Sequence, residues 1–427
     1  MHIESVCRSK NGVNIYCYKN PSLHSFHISL FVKSGCMYED EELSGITHFL
    51  EHIAIRNVNH LYEMKLYALL DSKGVEFNAS TYSEMVQFYV GGASKNFQFG
   101  AEVISKVLSP ITLPKSEIDS ERKRIKAEIR ESDDKTSLAT FTMKKVFEGT
   151  SLSNSIVGTN KTIDRIGLNK LEEYRVKILG RKNIFFYVTG NFTESDIEFL
   201  KNRIEEYDVS SDLKNSNIAP IPRSFGKREE LVYVKNADYT IIRFSFDLDM
   251  KKYSVAETDL LYDMLLSGYN AKLFIELSEK RGLFYDVSGA TERYKNIGSL
   301  YFSFELQSKD LNEAVKMTVA VLNSVKRKRN VDADAMKAAY VDNAYMLYDD
   351  SRELNFTFGY DNHIMDEKYL SVEDRKNRYE NVTSERLSEI AASIFRTSNL
   401  TVTIKGNKKK IDVLAIEAIL QELDKEE

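Results

Sequence analysis

Proline and glycine are scarce in this chain, occupying 5 and 19 of its 427 positions. So low a share excludes a collagen-like, linker-dominated or disordered polypeptide. With 42% apolar and 29% charged residues the composition is that of a globular protein. Cysteine is rarer still. Cys7, Cys17 and Cys36 are an odd number crowded into the first 36 residues and lack C-x-x-C spacing. They predict no disulfide framework and point to a reducing compartment. Positive charge is not in excess either: 59 basic against 64 acidic residues leave a net −5, so no global basic field exists to hold nucleic acid. The short runs Lys326-Arg327-Lys328-Arg329 and Lys408-Lys409-Lys410 read as solvated helix ends or turns. Apolar runs stop at strand length, far short of the roughly 18 residues of a membrane span. The start, Met1-His2-Ile3-Glu4-Ser5, shows no charged segment followed by an apolar stretch. The expectation is a soluble, cytoplasmic protein.

A chain of this length predicts about two to four domains. Asn183-Ile-Phe-Phe-Tyr-Val-Thr-Gly190-Asn191 reads as a strand ending in a Gly-Asn turn, and Asn399-Leu-Thr-Val-Thr-Ile-Lys-Gly406-Asn407 repeats it 216 residues later. Each copy is followed by an amphipathic, charged helix. The same offset carries Ile28, Leu30 and Val32 onto Phe244, Phe246 and Leu248, again alternating with polar or less buried positions. Lys65-Leu66-Tyr67 before Gly74-Val75 resembles Lys272-Leu273-Phe274 before Gly282-Leu283 at a slightly shorter offset. The polar stretch 210–230 holds Pro220-Ile221-Pro222 and reads as a linker. Strands and helices alternate without βαβ regularity, so the expected fold is α+β: two tandem homologous α/β-sandwich halves, 1–209 and 231–427, each a largely antiparallel sheet packed with helices.

Within Gly45-Ile-Thr-His48-Phe-Leu-Glu51-His52 lies H-x-x-E-H, the inverted order of the H-E-x-x-H zinc motif. Residues four apart share a helix face, so His48 and His52 can aim two imidazoles at one metal, with Glu51 beside them. In a chain with seven histidines such a match arises by chance with a probability on the order of 1%. A catalytic zinc takes three protein ligands and keeps one position open. The segment from about Lys115 to Asp133 offers Glu117, Glu121, Glu128 and Glu131. Glu121 and Glu128 are two turns apart on one face, and spacing alone does not choose between them.

Together, Gly45 to His52, Asn78-Ala79-Ser80-Thr81 and Glu121-Arg122 through Ala127-Glu128-Ile129 resemble the pitrilysin/insulinase peptidase family, an inverzincin metallopeptidase family. The likeness is nearest to its short bacterial and mitochondrial-processing-peptidase-like subunits and extends over the whole chain. The resemblance implies a zinc endopeptidase with one Zn²⁺ per chain. It implies that the third ligand is the glutamate 76 residues after the second histidine, which is Glu128, that Glu121 supports the ligands from behind, and that Glu51 is the general base. It further implies that an edge strand carrying Asn78 and Ala79 pairs with extended substrate. Glu84 matches a frequently acidic family position. Cobalt or manganese could substitute for zinc on such ligands.

Carrying the metal motif forward by 216 reaches Met264, Ser267 and Gly268, none of which can replace its counterpart. The second half is read as a degenerate repeat without metal ligands. Its segment Leu273 to Tyr285 matches a family stretch in which an arginine and a tyrosine seven residues apart bind substrate. Tyr285 matches the tyrosine, while Ser278 stands at the arginine position. A hydroxyl does not replace a planar bidentate cation. The departure favours a heterodimer with a related chain that lacks H-x-x-E-H and keeps the arginine, with a homodimer as alternative. The expected substrate is a peptide or unfolded segment, leader and precursor peptides included, cleaved in a closed chamber. The competing reading is a non-catalytic chamber or peptide-binding subunit. Such a chain would be expected to have lost His48, Glu51, His52 or Glu128, and all four are present.

Overall fold

Two sheets account for the regular strands. A computed structural model describes residues 3–132, 137–211, 228–233, 238–267, 270–284 and 287–425. The first sheet is built from β1 (Ser5–Arg8), β2 (Asn14–Lys19), β3 (Ser25–Val32), β4 (Glu76–Thr81), β5 (Val86–Ala93) and β6 (Ile184–Gly190), in the order β1-β2-β6-β3-β5-β4. The second is built from β7 (Arg228–Tyr233), β8 (Tyr239–Leu248), β9 (Val287–Arg293), β10 (Gly298–Gln307) and β11 (Leu400–Gly406), in the order β7-β11-β8-β10-β9. From β2 onward the sheets correspond strand for strand. In each the first of these pairs is parallel, β2 with β6 and β7 with β11, and the rest are antiparallel. The fold is therefore two tandem α+β halves with helices packed on largely antiparallel sheets, as the repeated strand-turn pattern leads one to expect. The linker expected at 210–230 lies mostly outside the described residues. No helix among those described is long and apolar enough to cross a membrane.

Six helices matter below: α1 (Ile46–Leu61), α2 (Lys115–Ser132), α3 (Leu138–Val146), α4 (Val255–Leu266), α5 (Ala333–Val341) and α6 (Ser351–His363). In order along the chain, α4, α5 and α6 hold the same places in the second copy as α1, α2 and α3 in the first.

The compact units are not the contiguous halves 1–209 and 231–427. One unit comprises 1–133, 154–218 and 344–374; the other comprises 134–153, 219–343 and 375–427. Equivalent helices have changed places: α3 lies in the second unit and α6 in the first. The physical reason is legible on β3. Its inward face, Ile28, Leu30 and Val32, is fully buried, but His27, Ser29 and Phe31 on the opposite face are buried too. The half-buried alternation read from the sequence is thus corrected: both faces are covered. α6 covers the second face, where Leu354 and Phe358 pack with Tyr18, Phe31, Phe185 and Tyr187. Asn355 is fully buried under this cover, and its Nδ2 donates to the carbonyls of Tyr187 (2.8 Å) and His27 (3.3 Å). In the second unit α3 lies on β11, β8 and β7, with Thr142 Oγ1 and Thr403 Oγ1 2.6 Å apart.

The helix approaches β3 so closely that Gly359 has no room for a side chain: a Cβ there would sit 2.6 Å from the Phe31 ring. Gly359→Ala is therefore expected to cost about 1–3 kcal/mol through overpacking, measured as a lower urea midpoint with an unchanged slope. Wild-type stability in that variant would show that α6 does not pack on β3 in this way.

Candidate active site

α1 is the scaffold. Ile46, Phe49, Leu50 and Ile53 recur at helical spacing and are buried in the core of the first unit. That fixes the opposite face, with His48 and His52 one turn apart, toward α2. The helix begins at Gly45, whose φ of +89° suits glycine, and a Cβ there would lie 2.7 Å from Gly158 Cα. Its first N–H groups are met from outside the helix. The buried Glu39 carboxylate accepts from Gly45 N (2.7 Å) and Thr47 N (2.9 Å). Thr47 Oγ1 and Ser34 Oγ both lie within hydrogen-bond reach of the Tyr174 hydroxyl, at 2.8 and 2.9 Å. Removing the Glu39 carboxylate strands two buried N–H groups. Glu39→Ala is expected to lose about 1–3 kcal/mol of unfolding free energy, read by chemical denaturation. No change would mean that this end of the helix is held by other contacts.

Geometry separates the two carboxylates that spacing could not. Glu128 Oε2 lies 3.6 Å from His48 Nε2 and 3.7 Å from His52 Nε2. Glu121 Oε2 instead faces the other nitrogen of His52, Nδ1, at 3.5 Å. Of the remaining candidates, Glu117 is paired with Arg56 (2.6 Å) and Glu131 is exposed. Among the described residues, His48, His52 and Glu128 are the group of histidine, cysteine and acidic side chains placed to hold a metal ion, their donor atoms within 4.8 Å of one another. The donor set fits zinc. Bonds of about 2.0–2.2 Å in tetrahedral geometry put neighbouring donors about 3.3–3.6 Å apart, close to the spacings seen.

The electrostatics suit ligation. Burial, helped by the neighbouring His52, pushes His48 down to about 4, so its imidazole is neutral at ordinary pH, as a metal ligand must be. His48 Nδ1 is buried without a hydrogen-bond partner among the described residues, whereas His52 Nδ1 is held by Glu121. Burial also pulls on His52. There the contact with Glu121 and the charges of Glu51 and Glu128 outweigh it, and its pKa is raised. Glu121 is buried, which by itself disfavours its charge. The His52 contact and the Arg124 and Arg56 guanidiniums, 3.2 and 3.8 Å away, overcome this and keep its pKa low. Glu51, only 8% exposed, has its pKa raised chiefly by burial, with His52 and a hydrogen bond from Thr81 opposing. That bond runs from Thr81 Oγ1 to Glu51 Oε2 at 2.8 Å.

Asn78 and Ala79 lie on β4, the outermost strand of the first sheet, paired on one side with Tyr89 and Phe88 of β5. Asn78 Oδ1 accepts from Ala79 N at 2.9 Å. Glu84 is buried and accepts from the Tyr360 hydroxyl of α6 at 2.8 Å. In the second unit, Met264 is buried in α4 and Ser267 follows that helix; Gly268 lies outside the described residues. Ser278 Oγ donates to Phe284 O (2.8 Å), and Arg281 is tied to Glu276 through its carbonyl (2.7 Å) and carboxylate (3.0 Å). Tyr285 lies outside the described residues. Reading the sequence missed Arg56, Arg124, Glu39 and the contact Thr81 makes with Glu51. Two of these left a usable signal in helical spacing: Arg56, four residues past His52, and Arg124, three past Glu121.

The description Insulinase (Peptidase family M16) matches residues 15–160, and Peptidase M16 inactive domain matches residues 165–340. An uncharacterized zinc protease of Rickettsia bellii is 25% identical over 418 residues, covering 94% of this chain and 98% of its own. The beta subunit of the mitochondrial-processing peptidase of Rattus norvegicus is 26% identical over 167 residues, covering 39% of this chain and 34% of its own. The crystal structure of a protease from Helicobacter pylori shares the fold with a TM-score of 0.84 at 16% identity, covering 95% of this chain and 100% of that one.

Proposed function

Because the chain belongs to the insulinase peptidase family M16, we propose that it is a zinc-dependent metalloendopeptidase acting on peptides or unfolded segments. The carrying observation is the convergence of His48 Nε2 and His52 Nε2 on Glu128 Oε2 at 3.6 and 3.7 Å. Those three residues would hold one zinc per chain. When bound, zinc supplies polarisation of the scissile carbonyl and a lowered pKa for the attacking water. Glu51 takes the proton of that water and returns it to the leaving amine, a role suited to a buried carboxylate whose pKa has been raised. Glu121 orients His52 through Nδ1 and is itself held ionised by Arg56 and Arg124. The open side of β4 gives the substrate backbone a strand to pair with at Asn78 and Ala79. Tyr285 joins the grip on the substrate.

The working unit in this reading is a heterodimer enclosing a chamber, the partner a related chain that lacks H-x-x-E-H and supplies an arginine. Two points support it: by the family resemblance Ser278 takes the place of that cation, and Arg281 is engaged by Glu276. The purified chain should contain close to one zinc, and a quenched fluorescent peptide should be cleaved once the related chain is added, with activity removed by chelation and restored by zinc. A chain that takes up no zinc overturns the reading. High peptide turnover by the chain alone would remove the need for a different partner.

A further inference from the structure

Thr81 stands at a junction that the proposed reaction does not yet use. It is the last residue of β4, and β4 is the outer strand of its sheet, bound on one side only, to β5. Its hydroxyl leaves the strand to reach Glu51 Oε2 on α1 at 2.8 Å. Among the described residues it is the one donor to the Glu51 carboxylate, and no donor reaches Oε1. Glu51 is buried, so the hydrogen bond is made away from most competing water.

We infer that Thr81 is a positioning residue for Glu51: it fixes one carboxylate oxygen so that the other faces the water, and it ties that orientation to the strand on which the peptide pairs. The inference rests on the proposed peptidase reading. A glutamate has three rotatable side-chain bonds, and a general base must be held within a few tenths of an ångström of its proton. Clamping Oε2 removes the rotations that would turn the carboxylate away. The clamp comes from a strand end rather than from α1, so a peptide that orders β4 also orders the base. Thr81 is not one of the residues grouped for the metal, so in this reading it acts through Glu51.

The test uses the full chain with its partner and three variants. Thr81→Val removes the hydroxyl at constant shape, Thr81→Ala guards against a valine-specific packing fault, and Thr81→Ser restores the donor. The expected result is a ten- to hundredfold fall in kcat for Val and Ala with KM within twofold of wild type, recovery to within threefold for Ser, and unchanged zinc content. A second readout needs neither zinc nor turnover. In crystals of the zinc-free chain, Glu51 should occupy one rotamer in the wild type and in Thr81→Ser, and several in Thr81→Val. Its binding of a fluorescent peptide, by anisotropy, should be the same in all. Wild-type kcat in Val and Ala, a serine variant as slow as valine, or a single unchanged Glu51 rotamer in Thr81→Val would overturn the inference. A wild type that binds no zinc and cleaves nothing defeats the peptidase reading instead, and the rotamer comparison still decides whether Thr81 positions Glu51.

Discussion

Replacing Glu51 with glutamine is expected to leave zinc at one per chain and to lower kcat by roughly 10²–10⁴-fold, the range that a positioned general acid–base group contributes. Glutamine is nearly isosteric, and its amide oxygen still accepts from Thr81 Oγ1, which lies 2.8 Å from the native carboxylate. Packing and orientation are therefore kept while the basic oxygen is lost. Glu51 is not among the three donors grouped for the metal, so zinc affinity should hardly move. Metal analysis beside a peptide-cleavage assay distinguishes this from a ligand loss, in which both fall together. A variant that still turns over at the wild-type rate would remove Glu51 from the chemistry.

His52→Ala should abolish both. Its ring is the link between two carboxylates, with Nε2 3.7 Å from Glu128 and Nδ1 3.5 Å from Glu121. Removing it leaves two donors, below the three protein ligands that hold a catalytic zinc. Stoichiometry should fall from one to near zero at micromolar zinc. The fold should survive, because the core face of α1 is formed by Ile46, Phe49, Leu50 and Ile53. Glu121→Gln provides the graded comparison. It keeps all three ligands but weakens the orienting contact, and a tenfold to hundredfold loss of zinc affinity is expected. Competition with a chromogenic chelator measures both. Full zinc in His52→Ala would mean that the metal, if any, is held elsewhere.

The metal motif was legible because its geometry is local. Two histidines and a glutamate within five residues of one helix need only the 3.6-residue period to be placed. The third candidate ligand was half legible. Glu121 and Glu128 share a face of α2, and what separates them is which nitrogen of His52 each meets, a matter of how two helices pack rather than of either sequence. The contacts of Glu39 and Thr81 were invisible for a related reason. One reaches forward to the N–H groups of Gly45 and Thr47, the other back to Glu51 from a strand end, and side-chain bonds across such intervals leave no periodic trace. The repeat was legible through its strand endings. The exchange of α3 and α6 was not, because either helix carries an apolar face that its own half could have covered.

That exchange sets a timetable for synthesis. The unit that holds His48, His52 and Glu128 includes residues 344–374. While the ribosome makes the second copy, the first sheet waits with Phe31, Phe185 and Tyr187 lacking the helix that buries them. Long waits with exposed apolar sheet invite chaperones and aggregation. A chain cut short before α6 lacks that cover, although every candidate ligand has already been translated. Residues that carry none of the candidate ligands thus decide when the first sheet is covered, and they are made only after most of the message has been read.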